Sequence, residues 1–192
     1  MTKNLNVGDV ICTRSDSPQS AWIRFQAAIM GRPNTVNHVA IFMGPGSDNV
    51  DRVIEARPGG VGWRDAASYL EDYWTIDNSE QPKTARHREK IGKAALALLG
   101  TPYDWVGIGQ NAMEAIHAPD IYRSKRWKNG KSPDHVVCSS LADWVYAEAG
   151  LANPGKTGRG DALTTPGDWA EFIVTKAWER FERPRGVTPS GE

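Results

Sequence analysis

The sequence predicts an α+β fold: one small antiparallel sheet, or half-barrel, with helices packed on one side of it. Two observations predict this. Between Val10 and Asp77, short apolar and β-branched runs are separated by turns rich in Gly, Pro, Asn and Asp. From Thr84 onward, apolar residues recur instead at three- and four-residue spacing, the period of a helix with one buried face.

The elements follow in order. Val10-Ile-Cys-Thr13 reads as a strand after the Gly8-Asp9 turn. Ala21 to Met30 reads as a short helix, stopped by Gly31 and Pro33. His38 to Met43 is a strand closed by Gly44-Pro-Gly46, and Arg52 to Ala56 is the next, with a hairpin loop between them. Tyr73 to Asp77 is a fourth strand. A helix is expected over Thr84 to Leu99, with Ile91, Ala94, Ala95 and Leu98 on one side and Gly100 as its stop. Asp104 to Ile116 is a second, weakened by Gly107 and Gly109.

Residues 117–133 are a polar insertion with Arg123, Lys125, Arg126, Lys128 and Lys131, suited to a lid or to guiding an anionic group. Cys138 to Ala149 is a helix ended by Gly150, with Cys138, Leu141, Ala142, Val145 and Ala149 on one face. Thr165 caps a last helix that has Pro166 at its first position. Residues 1–182 form one domain, and 183–192 a loose tail.

Composition excludes several classes. The 192 residues suffice for one core, and 40% hydrophobic with 24% charged residues is ordinary for a globular protein. Lys+Arg and Asp+Glu both number 23, so no global charge draws the chain to nucleic acid, and no nucleic-acid partner is expected. Two cysteines, Cys12 and Cys138, cannot build a disulfide framework, although a single bridge between them stays open. No apolar run reaches the length of a membrane span. The amino terminus lacks the apolar core of a secretory signal, so the expected location is cytoplasmic, with a phage-encoded enzyme or delivery by another route compatible with it. Oligomeric state is not legible.

Cys138 and His38 carry the chemistry. A cysteine at a helix start sits among unpaired N–H groups and the positive end of the helix dipole, both of which favour thiolate. His38 opens a strand whose alternation puts His38, Ala40 and Phe42 on one face. Glu55, on the next strand, can meet it across a hairpin ladder and fix its tautomer. A helix bearing Cys138 and packed against that face would complete nucleophile, base and orienting acid. The same helix start can stabilise an oxyanion.

Each residue also has a structural reading. Cys12 in a strand suits a small buried hydrophobe, and His87 suits a solvated helix face. His135, three residues before Cys138, reaches it only awkwardly. A zinc site from Cys12, His38 and Cys138 lacks short metal-type spacing, and no metal or organic cofactor is expected.

The order of these segments resembles circularly permuted papain-like cysteine hydrolases of the NlpC type, the YiiX-like proteins among them and, more distantly, the lecithin:retinol acyltransferase group. Gly8-Asp-Val-Ile11 is similar to the family's opening strand, His38-Val-Ala-Ile-Phe-Met-Gly44 to its base-bearing strand, and Val53-Ile-Glu-Ala56 to the strand of its third residue. Gly100-Thr-Pro-Tyr-Asp104, then Val137-Cys-Ser-Ser-Leu141, is similar to its tyrosine segment and nucleophile helix, and Thr165-Pro-Gly-Asp168 to its late turn.

The resemblance implies a permuted papain-like fold, Cys138 as nucleophile, His38 as base, Glu55 as orienter, and Tyr103 and Ser139 at the substrate. It implies a peptide or acyl-containing substrate: an amide, such as that of a cell-wall peptide or isopeptide, cleaved through a thioester. The same residues would serve an acyltransferase or a lipid or thioester hydrolase. A binding module on a retired scaffold is the non-enzymatic alternative, and it predicts an inert Cys138.

Overall fold

A computed structural model of the chain describes residues 5–14, 36–70, 75–79, 81, 83–105, 133–157 and 164–182. They contain strands β1 (Val10–Thr13), β2 (His38–Pro45), β3 (Asp51–Arg57), β4 (Gly60–Asp65) and β5 (Ile76–Asp77). The helices are α1 (Ala67–Leu70), α2 (Ala85–Ala97), α3 (Cys138–Ala149) and α4 (Pro166–Glu182). The expected helix over 21–30, nearly all of that over 104–116, the basic insertion up to Lys131 and the tail lie outside the described residues.

The strands form one antiparallel sheet in the order β4-β3-β2-β1-β5. The class is α+β, as the sequence predicts. β4 was not expected. Gly60 and Gly62 depress strand propensity in it, and pairing with β3 along its whole length overrides them.

Alternation along the strands sorts two faces. One carries Val10, Cys12, Val39, Ile41, Ile54 and Ala56, packed with Ile91 of α2 and Leu98 at its carboxy cap, Leu141 and Val145 of α3, and Trp169 and Ile173 of α4. The other carries Ile11, Ala40, Phe42 and Val53, covered by Ala66 and Tyr69. Ile11, Ile41, Ile54, Ile91, Leu98 and Leu141 are all fully buried. Each such side chain contributes roughly 1.5–3 kcal/mol.

Two devices position α3. Gly150 at its carboxy end takes the left-handed conformation (φ +76°) that closes a helix. At α4, Thr165 and Asp168 cap each other: Asp168 accepts the Thr165 N–H at 2.8 Å, and Thr165 Oγ1 accepts the Asp168 N–H at 3.2 Å. Trp169 of α4 then donates its indole N–H to the Ser139 carbonyl at 3.2 Å, which ties α4 to the first turn of α3.

Buried polar contacts hold β1 to the helices. The Tyr146 hydroxyl of α3 donates to the Gly8 carbonyl at 2.7 Å and accepts from Asn78 Nδ2 at 2.8 Å. Asn78 Oδ1 accepts the Val10 N–H at 2.7 Å. Asp9, fully buried, accepts from Lys83 Nζ at 2.8 Å and Arg88 Nη1 at 3.0 Å.

Candidate active site

Cys138 is the first residue of α3, with Val137 in extended conformation as the cap. Valine has no capping oxygen, and Ser140 substitutes for it. Its hydroxyl accepts the Val137 N–H at 2.9 Å and donates to the Val137 carbonyl at 3.1 Å. The approach to the helix is held by the segment Gly100 to Asp104. Val136 donates to the Pro102 carbonyl at 3.1 Å, and Asp104 donates to that of Val136 at 3.0 Å. On its far side the same segment is bonded to β4, through Val61 N–H to Thr101 O at 2.9 Å and Gly100 N–H to Val61 O at 3.0 Å. Backbone pairing therefore runs from the sheet edge to within two residues of the thiol.

His38 reaches Cys138 by a route the sequence reading did not foresee. α3 packs on the face of Val39 and Ile41, not on the face shared by His38, Ala40 and Phe42. The two side chains meet at the end of β2. Register between β2 and β3 starts at Ile41↔Ile54, so His38 to Ala40 run on beyond it, paired with β1. There the Cys138 sulfur lies beside the Val39 N–H and the His38 ring, close enough that both favour its thiolate.

Glu55 lies where the ladder argument puts it, on the same face as His38. The Ile41↔Ile54 register sets it opposite Ala40, diagonal to His38. His38 Nε2 is 2.5 Å from Glu55 Oε2. With Nε2 committed to the acid, Nδ1 is the nitrogen that remains for the thiol.

Glu55 is buried, and its remaining lone pairs are filled. Arg57 Nε donates to Oε1 at 2.5 Å, Arg64 Nε lies 3.3 Å from Oε1, and the Tyr69 hydroxyl donates to Oε2. Arg57 Nη2 also donates to the Tyr69 oxygen at 2.6 Å. Tyr69 stacks on the His38 ring, centroids 6.0 Å apart and planes 23° off parallel. Sequence reasoning missed all three partners. Period-two alternation from Glu55 does signal Arg57, and Val53↔Arg64 pairing puts Arg64 on that face, but recognising Arg64 required β4. Nothing in the sequence marks Tyr69, whose ring arrives from α1.

The charges of the three groups are shifted together. Burial pushes the Cys138 thiol up, but its hydrogen bond to His38, the nearby imidazolium and the N–H groups of Val39 and Ser139 outweigh this and hold it below the ordinary thiol value. Burial likewise opposes imidazolium, yet the hydrogen bonds to Cys138 and Glu55 raise His38 to about 9. For Glu55, burial is overcome by His38, Tyr69 and Arg57, and its value falls to about 2. The state these shifts favour is thiolate, imidazolium and carboxylate in a row.

Tyr103 is buried near the thiol; burial first, then negative charge on Cys138, raises its hydroxyl above the ordinary value. Ser139 is differently placed. Its hydroxyl donates to the Thr164 carbonyl at 2.5 Å and is buried, so it anchors the helix start and is not exposed to a substrate. Cys12 is a free, fully buried thiol in the core, raised by burial, and Cys138 is also free. Among the described residues, no helix is long and apolar enough to cross a membrane.

No protein-family model matches this chain, and no curated protein does. Among solved structures, it is similar to the crystal structure of the metalloprotein YiiX from Escherichia coli O157:H7, a DUF1105 protein. The TM-score is 0.51 at 20% identity, over 75% of this chain and 66% of that one, just under two thirds of its length. The likeness is one of fold. That protein is described as a metalloprotein, but the described donors here do not form a metal-binding set. His38 lies between Cys138 and Glu55, so the three donors do not converge, and among the described residues no group of three or more His, Cys, Asp and Glu could hold an ion.

Proposed function

We propose that this chain is a cysteine hydrolase that cleaves an amide bond through a thioester, as permuted papain-like enzymes do. The observation that carries the reading is the His38 ring held between a buried carboxylate and a thiol at a helix start. Cys138 thiolate attacks the carbonyl carbon and the C–S bond forms. Charge moves to the carbonyl oxygen, where the N–H of Cys138, one of the first amides of α3 and without an intrahelical acceptor, can donate to it. Collapse expels the amine, which takes the proton of imidazolium His38. Neutral His38 then accepts a proton from water as the hydroxyl adds to the thioester. The acid leaves and thiolate is restored. Glu55 keeps Nε2 protonated and stabilises imidazolium, so that Nδ1 does the proton transfers. Tyr103, buried near the sulfur, is placed to contact the substrate's acyl part.

A peptide amide, such as one of a bacterial wall, is the substrate class proposed. The test compares turnover of a wall tetrapeptide with that of a short-chain acyl ester, using Cys138→Ala as the blank. Peptide cleavage lost in Cys138→Ala supports the reading. Turnover of the ester alone replaces it with an esterase or acyltransferase. Absence of both, with a Cys138 no more reactive than a free thiol, leaves a binding module.

A further inference from the structure

We infer that Tyr69 is a positioning residue for the His38–Glu55 pair, holding ring and carboxylate together through one side chain and itself held by Arg57. The inference rests on the proposed thiol chemistry for its kinetic consequence but not for its geometry.

The geometry has three parts. The Tyr69 ring stacks on the His38 ring at 6.0 Å, which limits tilting of the imidazole out of its plane. The Tyr69 hydroxyl donates to Oε2, the same Glu55 oxygen that faces His38 Nε2 at 2.5 Å. Arg57 bridges the remaining corner, with Nε on Glu55 Oε1 at 2.5 Å and Nη2 on the Tyr69 oxygen at 2.6 Å. A carboxylate can rotate about its last torsion, and a broad terminal torsion is poorly fixed by rotamer preference. Here both oxygens are bonded, so rotation breaks at least two charge-assisted bonds.

Tyr69 is itself fixed. Its N–H donates to the Ala66 carbonyl at 3.0 Å, and its carbonyl accepts the Thr75 hydroxyl at 2.5 Å. The ring packs in the apolar cluster with Ala40 and Phe42. A tyrosine there only to fill the second sheet face would need no hydroxyl. This hydroxyl is placed on the one carboxylate oxygen that touches the proposed base. Among the described residues, the charged or titratable groups facing the pair are Cys138 from α3, Arg57 from β3, Arg64 from β4 and Tyr69 from α1.

The experiment uses the full chain with Tyr69→Phe and Arg57→Lys. Phe keeps the stacking surface and removes the hydroxyl; Lys keeps the charge but lacks the rigid planar fork that fixes Glu55 and Tyr69 relative to each other. Two quantities are read: hydrogen exchange of the His38 Nε2–H by NMR, and the rate of Cys138 alkylation by iodoacetamide at neutral pH. Exchange in Tyr69→Phe is expected to be about tenfold faster and alkylation about tenfold slower, with Arg57→Lys changed in the same direction. A residue that only packs would lower the melting temperature and leave both quantities unchanged per folded molecule, and that result overturns the inference. If Tyr69→Phe does not fold, Arg57→Lys decides by the same two readouts. If wild-type Cys138 proves no more reactive than a free thiol, the hydrolase reading falls while the exchange measurement still decides the role of Tyr69.

Discussion

His38 and Glu55 face each other diagonally across two strands, Nε2 to Oε2 at 2.5 Å, on the sheet face opposite the one on which the apolar side of α3 packs. The acid is thus screened from the thiol by the imidazole and acts on Cys138 only through His38. Glu55→Gln is the discriminating change. The amide has the same shape but carries no charge to stabilise imidazolium, and it leaves Arg57 and Arg64 without their counter-charge. A hydrogen bond to a charged group is worth about 1.5–3 kcal/mol, so kcat/KM should fall by about 10- to 100-fold. Steady-state kinetics on the substrate identified for the wild type check this. An unchanged rate would remove Glu55 from the mechanism.

Stability should be flat around neutral pH and fall in acid. His38 is raised from 6.5 to about 9, so its contribution is complete below 6.5 and fades as pH rises toward 9. Cys138 is lowered from 9.0, so its contribution is complete above 9.0 and fades as pH falls toward its folded value. Where the folded pair is thiolate and imidazolium and the unfolded pair is neutral, the two states hold the same number of protons, and the two slopes cancel. Glu55, lowered from 4.5 to about 2, contributes fully above 4.5 and loses that contribution as pH falls to about 2. Urea midpoints across pH, for wild type against Glu55→Gln, should therefore coincide in shape above neutrality and diverge in acid. A steep wild-type slope between pH 7 and 8.5 absent from His38→Ala would contradict the ion pair.

The two cysteines should differ in reactivity. Cys12 is fully buried and raised by that burial, whereas Cys138 is lowered by His38. Native protein should take up one equivalent of iodoacetamide near neutral pH, at Cys138, and two after unfolding. Peptide mapping by mass spectrometry reads this directly. Cys12→Ala should leave the rate at Cys138 within about twofold, because the removed sulfur only packs.

Gly60 should be intolerant of substitution. It holds φ +99°, and a Cβ there would lie 2.9 Å from the Thr101 carbonyl oxygen. That oxygen accepts the Val61 N–H in the same segment that carries Tyr103. Gly60→Ala must push the segment away or strain it, at a cost of about 1–3 kcal/mol. Urea denaturation gives the cost. Slower alkylation of Cys138 in the folded variant would show that the shift passes through Val136 to the helix start.

Much of this arrangement was legible in the sequence. Period-two alternation marked β1, β2 and β3, and glycine with helical spacing marked α2 and α3, because local patterns encode those elements. The His38 and Glu55 face followed from parity alone. The side on which α3 packs did not. A strand end belongs to neither face, so parity could not tell that Cys138 meets His38 past the last β3 pairing. Ser139 misled for a related reason: adjacency to a thiol says nothing of direction, and the next helical position points about 100° away. Tyr69 was invisible because a four-residue helix has no period to read, and β4 because its glycines hide a strand that only tertiary pairing stabilises.

Asp9 provides a test of the frame apart from the chemistry. Its carboxylate is fully buried and accepts from Lys83, Arg88 and the Asn6 N–H, the last at 2.7 Å. Lys83 is itself almost wholly buried, and burial lowers its ammonium below the ordinary value despite the carboxylate beside it. Asp9→Asn removes the charge bonded to both cations and leaves Lys83 buried without it. Breaking a buried pair from one side costs about 3–5 kcal/mol, far more than losing an exposed, solvent-screened pair such as Glu89 with Lys93. Urea denaturation should therefore find Asp9→Asn strongly destabilised and Glu89→Gln almost unchanged. Raising the salt concentration should not close the gap, because a buried pair is little screened. Because Asp9 precedes β1 and the Tyr146 hydroxyl of α3 binds the neighbouring Gly8 carbonyl, loss of this pair should also loosen α3 against the sheet. Equal stability of the two variants would mean that the Asp9 cluster is solvated in solution and does not fix β1 to the helices.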